Sequence, residues 1–117
     1  MQASEQLSHI KRSSYLFYST AMTQQEVLET LGYYEQLSLY VHPQTPSAAK
    51  LSCGGVIETC KQVARGIVKN AFAIVRPPGH HSEPDEHMGF CFFNNCAVAA
   101  RVLQVEEKIN KILILDW

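Results

Sequence analysis

Two short apolar runs, 71–75 (AFAIV) and 111–115 (KILIL), stand on either side of a loop and a helical segment. Each run is too brief for a helix and reads as a buried strand. The helix between them starts at an asparagine cap, Asn95 or Asn94, and continues to about Lys108. Val98, Val102, Val105 and Ile109 form its apolar stripe, with Arg101, Gln104 and Glu107 largely outside it. Strand, loop, helix, strand is a βαβ unit, which almost always means parallel strands joined by a right-handed crossover. The predicted class is therefore α/β. Parallel strands end on one edge of the sheet, where ligands of open α/β folds bind. The loop after the first strand should meet Asp116, which ends the second.

That loop carries the chemistry. It runs Arg76-Pro77-Pro78-Gly79-His80-His81, then an acidic spacer with Glu83, Asp85 and Glu86, then Met88-Gly89-Phe90-Cys91-Phe92-Phe93-Asn94-Asn95. Two histidines between a rigid Pro-Pro-Gly turn and an aromatic run place proton-transfer groups beside an apolar wall. Histidines held by carboxylates can divide general-base and general-acid work between them. Taken alone, adjacent histidines are more often surface residues, and the surrounding motif raises the functional reading above that one.

The run RPPGHHSEPDEHMGFCFFNN, with the downstream KILILDW, resembles the core of a zinc-dependent histone deacetylase, and the Phe-Cys-Phe-Phe-Asn wording is closer to class II than to class I. Ser38-Leu39-Tyr40-Val41 and Leu51-Ser52-Cys53-Gly54-Gly55-Val56-Ile57-Glu58 resemble that class too, so the similarity runs from about Gln36 to Trp117 and fades before it. Ser82 and Cys96 depart from the usual wording. The resemblance implies an arginase-like α/β domain with a central parallel sheet. It implies that His80 and His81 are the tandem catalytic pair, that Asp116 orients His80, and that Gly89 and Phe90 line the acetyl-lysine tunnel. It also implies zinc as the Lewis acid and a structural potassium near Asp116. The family's zinc ligands and the carboxylate that would orient His81 follow the position of Trp117. The chain is therefore expected to be a truncated catalytic domain over residues 23–117, inactive by itself, or else a non-catalytic module that binds or competes with deacetylase partners. An acetylated histone or another acetyl-lysine protein is the implied substrate. Deacetylase or corepressor subunits are the implied partners, and nucleus or cytoplasm the implied location.

Length and composition narrow the alternatives. A chain of 117 residues with 46% hydrophobic content is at most one domain and is globular in composition. A formal charge of −1 offers no basic footprint for a nucleic-acid backbone. The opening MQASEQLSHIKRSSYLFYST has no apolar stretch of signal or membrane-spanning length. Cys53, Cys60, Cys91 and Cys96 have no Cys-x-x-Cys spacing and read as reduced, mostly buried thiols. A local metal site from His80, His81, His87, Cys91 and Cys96 is chemically conceivable, yet its spacing fits no compact four-ligand pattern.

Upstream, Met1 to Met22 is polar and predicted to be poorly ordered, with His9 a solvated histidine. Thr23-Gln24-Gln25-Glu26 is a capping box that starts a helix with Val27, Leu28 and Leu31 on its apolar side, stopping at Gly32. Leu37 to Val41 reads as a short extended segment, and His42 as an exposed loop residue before Pro43. Thr45 caps a second helix with Pro46 at its first position, reaching to about Val68 through Gly54-Gly55. Phe92 and Phe93 are assigned to packing, and Arg76 to anchoring the loop.

Overall fold

The computed structural model describes residues 24–117. The helices among them are α1 (Gln24–Gln36), α2 (Thr45–Ala64) and α3 (Asn95–Glu106). The segment 1–22, His9, the cap Thr23 and the side chains of Val27 and Leu28 lie outside the described residues.

Helix α1 passes Gly32 and ends four residues later, so the predicted glycine stop is corrected. Gly32 meets nothing within 4 Å, and a helical glycine in open space costs only about 1 kcal/mol. The actual stop is a Schellman turn. Leu39 N–H donates to Tyr34 O at 2.9 Å and Ser38 N–H to Glu35 O at 3.0 Å, with Ser38 itself at φ +55°. This pattern satisfies the last helical carbonyls and brings the side chains at its two ends together. Tyr34 and Leu39 are indeed buried in one cluster with Ala49 and Phe92, flanked by Leu37, Val41 and Phe93.

Helix α2 closes the same way, four residues before the predicted Val68. Ile67 N–H donates to Gln62 O at 3.0 Å and Gly66 N–H to Val63 O at 2.9 Å, with Gly66 at φ +70°. The N-cap position is Gln44 rather than Thr45, whose hydroxyl instead accepts from His42 N–H at 2.9 Å. A Cβ at Gly55 would stand 3.5 Å from Val75 Cγ1, an ordinary contact, and Gly54 faces open space.

Helices α2 and α3 lie parallel. Their first halves are joined by Asn95 Nδ2 donating to Ser52 Oγ at 3.1 Å. Their last turns are joined by Lys61 to Glu106 at 2.6 Å and Arg65 to Glu107 at 2.7 Å. The buried residues of α2 are Pro46, Ala49, Ser52 and Cys53, and those of α3 are Asn95 and Ala99. Small side chains thus dominate the seam, while Val105 of the predicted stripe is exposed.

Both apolar runs return along these helices in the same direction, one ending at Pro77 beside Ser52 and the other at Asp116 beside His80. No β-ladder forms between them among the described residues, where the one bridge is Met88 with Cys91. Parallel strands are stable where both faces of the sheet are covered, and both runs are left largely open to solvent here, so nothing packed over them draws the two backbones together. The predicted burial of these runs is corrected too: Phe72 is 88% exposed, Ile74 90% and Leu113 90%.

Candidate active site

The His80-His81 loop is fixed from below by a buried polar network. Ser52 Oγ donates to Pro77 O at 2.7 Å, and Asn95 Nδ2 reaches both Ser52 Oγ and Pro77 O, the latter at 3.4 Å. Ser52 and Asn95 are both buried, where an unpaired hydroxyl or amide would cost about 1–3 kcal/mol. Pro77 follows a cis peptide bond from Arg76. Gly79 sits so close to the start of α3 that a Cβ would fall 2.5 Å from Asn95 N and 2.6 Å from Phe93 O. No side chain fits there.

Asn94 caps α3, its Oδ1 accepting from Ala97 N–H at 3.1 Å, which frees Asn95 for the network. Asn94 Nδ2 also donates to Ser82 O at 3.4 Å, and Ser82 Oγ to Phe92 O at 3.2 Å. The structural work of Ser52, Asn95 and Ser82 was not read from the sequence. The signal available was the asparagine doublet, because only one of two consecutive residues can occupy the cap.

Above this base, His80 Nδ1 lies 3.2 and 3.1 Å from the two Asp116 carboxylate oxygens. The His80 and His81 rings are 4.2 Å apart between centroids, tilted by 47°. Donation of an Nδ1 proton to Asp116 leaves Nε2 of His80 as the acceptor, the tautomer a general base requires. The pair is open to water, the His80 side chain being 50% exposed and that of Asp116 62%.

Gly89 and Phe90 form a two-residue hairpin turn. Cys91 N–H donates to Met88 O at 2.9 Å, Met88 N–H to Cys91 O at 3.2 Å, and the two central residues have φ +54° and +65°. Both being positive matches the type I′ turn favoured by twisted hairpins. A non-glycine residue in that region is destabilised by about 1–2 kcal/mol. The turn is held by donation from Gly89 N–H to Leu37 O at 3.1 Å and from Phe90 N–H to Ser38 O at 3.2 Å. Gly89 also clears space for the second histidine, since a Cβ there would stand 2.7 Å from His81 Cδ2. The result places the Phe90 ring outward at 60% exposure while Cys91 and Phe92 are buried.

All four cysteines are free. Burial pushes the Cys53, Cys60 and Cys91 thiols above their ordinary range. His42 is exposed and its Nδ1 accepts from Gln44 N–H at 3.2 Å. His87 lies against Phe92, ring centroids 5.6 Å apart.

Among the described residues no group of three or more His, Cys, Asp or Glu side chains could hold a metal ion. The five-residue local cluster drawn from the sequence is thus not assembled. Zinc, implied by the resemblance, finds no matching donor set among the described residues.

The family model of the histone deacetylase domain matches residues 2–117. The chain belongs to the histone deacetylase family. The match starts well before Gln36, the point at which the similarity was expected to fade. Histone deacetylase clr3 of Schizosaccharomyces pombe is 52% identical over 82 residues, 68% of this chain and 12% of that protein. Histone deacetylase HDA1 of Candida albicans is 54% identical over 82 residues, covering 68% and 10%. Histone deacetylase 5 of Arabidopsis thaliana is 43% identical over 115 residues, covering 96% and 17%. The class II wording of the aromatic run agrees with the HDA1-type deacetylases. The chain spans only about a tenth to a sixth of the length of these relatives.

Proposed function

We propose that this chain supplies the histidine–carboxylate part of an enzyme that hydrolyses the amide of acetyl-lysine in histones or other acetylated proteins. The observation that carries the reading is the convergence of His80, His81 and Asp116 beside the Gly89-Phe90 turn, in a chain of the histone deacetylase family. In this reading His80, oriented by Asp116, and His81 handle the protons of the attacking water and leaving amine. Gly89 and the Phe90 ring flank the lysine stem, and Asp116 is also where a structural potassium would bind. In the longer enzyme the apolar segments 71–75 and 111–115, exposed here, become strands of an arginase-like sheet whose other strands cover and pair with them. The work takes place in nucleus or cytoplasm, with deacetylase or corepressor subunits as partners.

Two measurements test this. The gene product that carries these residues, purified from its source cells, should release acetate from an acetylated histone peptide, and His80→Ala or His81→Ala should lower the rate by about 10²–10⁴. Full activity in either variant would refute the assignment. The chain of 117 residues by itself should give no turnover even with added zinc.

A second reading, a non-catalytic module that binds or competes with deacetylase partners, draws on the exposed apolar residues Phe72, Ile74, Leu113 and Leu115. It predicts a deacetylase subunit bound to the cellular product together with absence of acetate release.

A further inference from the structure

A cleft of about 700 Å³ has Phe90 in its wall and is bounded also by Leu39, Tyr40, Arg76, Pro77 and Phe92. Its walls are mostly apolar. Its one cation, Arg76, donates from Nη2 to the Tyr40 hydroxyl at 3.3 Å and has no carboxylate partner among the described residues. That bond ties the loop to Tyr40, 36 positions away, and uses one of the five donors a guanidinium presents. A planar cation beside a phenol, at the edge of an apolar cleft, matches a carboxylate attached to an apolar body. Phe90 is common to the cleft and to the slot proposed for acetyl-lysine, so a peptide with its acetyl-lysine against Phe90 has its neighbouring residues within reach of Arg76.

We propose that this cleft is a substrate subsite that receives an acidic side chain, with an adjacent apolar one, from residues flanking the acetyl-lysine. Arg76 and the Tyr40 hydroxyl take the carboxylate. Leu39, Pro77 and Phe92 take the apolar neighbour. The chain thereby favours acidic over lysine-rich surroundings of the modified lysine. The proposal rests on the acetyl-lysine reading of Gly89 and Phe90 for its geometry, and the test separates the two.

Isotope-labelled chain is titrated with Leu-Asp-acetyllysine-Asp-Leu, with the same peptide carrying Asn or Lys for Asp, and with its unacetylated form, following amide and guanidinium resonances. The acidic peptide should bind about tenfold more tightly than the lysine-flanked one, the gain of one charge-assisted contact. Resonances of Tyr40, Arg76 and Phe92 should move, and the Asn peptide should lose most of the gain. Arg76→Gln should abolish the preference, and the Asn peptide makes the same comparison without altering the fold. Equal affinity for acidic and lysine flanks, or a preference that survives Arg76→Gln, overturns the proposal. If the unacetylated acidic peptide shifts Arg76 and Tyr40 as strongly as the acetylated one, and neither shifts Gly89 or His81, the cleft stands and the acetyl-lysine reading falls.

Discussion

His80 Nδ1 sits 3.1 Å from Asp116 Oδ2 across 36 positions of sequence, which joins the end of the second apolar run to the histidine loop. A carboxylate on one ring nitrogen selects the tautomer of the other. In the native chain, neutral His80 should be protonated on Nδ1. Asp116→Asn should mix the two tautomers, because an amide can donate as well as accept. Imidazole nitrogen shifts read this directly, and an unchanged tautomer in the variant would show that Asp116 does not orient the ring.

Two glycines should respond to alanine in opposite senses. Gly89→Ala puts a Cβ 2.7 Å from the His81 ring on a backbone at φ +54°. It should cost at least about 1–2 kcal/mol from the backbone alone and should displace His81. Gly54→Ala, in open space on α2, should stabilise by about 0.5–1 kcal/mol. Denaturant midpoints of the two variants should fall on either side of the parent.

The Ser52–Asn95 bond, 3.1 Å and buried, ties α2 to α3 and both to Pro77 O. Asn95→Ala should destabilise by about 1–3 kcal/mol, because Ser52 and the Pro77 carbonyl lose a partner without access to water. The double variant with Ser52→Ala should cost less than the sum of the singles by more than about 0.5 kcal/mol. Strict additivity in the cycle would mean that the network is not a unit.

Acid should loosen the far end of the same helix pair. Hydrogen bonding from Arg65 holds the Glu107 carboxyl below its ordinary value. A carboxyl whose folded pKa is depressed contributes stability above its unfolded pKa, and that contribution disappears as pH falls through the folded value. Stability should therefore decline as pH drops through and below the carboxylate range, and Glu107→Gln should flatten that part of the profile. The pair is at the surface, so raised salt should shrink the difference.

Thiol chemistry should report burial. Cys96 is exposed, whereas Cys53 and Cys91 are buried with thiols pushed upward by desolvation. At a fixed neutral pH less of each buried thiol is thiolate, the reactive form. A maleimide should label Cys96 first, and mass spectrometry of partial digests gives the order. Early labelling of Cys91 would mean that the Met88–Cys91 hairpin opens readily.

Much of the site could be read from residue order. Pro-Pro-Gly before His80-His81, and an apolar run ending at Asp116, were enough to predict that the imidazoles and the acid meet, because both features follow from which way consecutive elements must run. Local signals also located the three helices, though not their ends. Gly32 looked like a stop but was passed over, since a stop requires the Tyr34–Leu39 contact that only the folded chain makes.

The sequence by itself determined the order of the three helices, the residue types of the loop between the second and third, and the family, because these depend on residue type and spacing along one dimension. Only the tertiary structure decided that Ser52 and Asn95 clamp the loop, that Gly89 yields to the His81 ring, and that the two apolar runs lie parallel without pairing. Those outcomes depend on distances between segments remote in sequence. Such distances follow from the bulk of facing side chains, which no local pattern specifies.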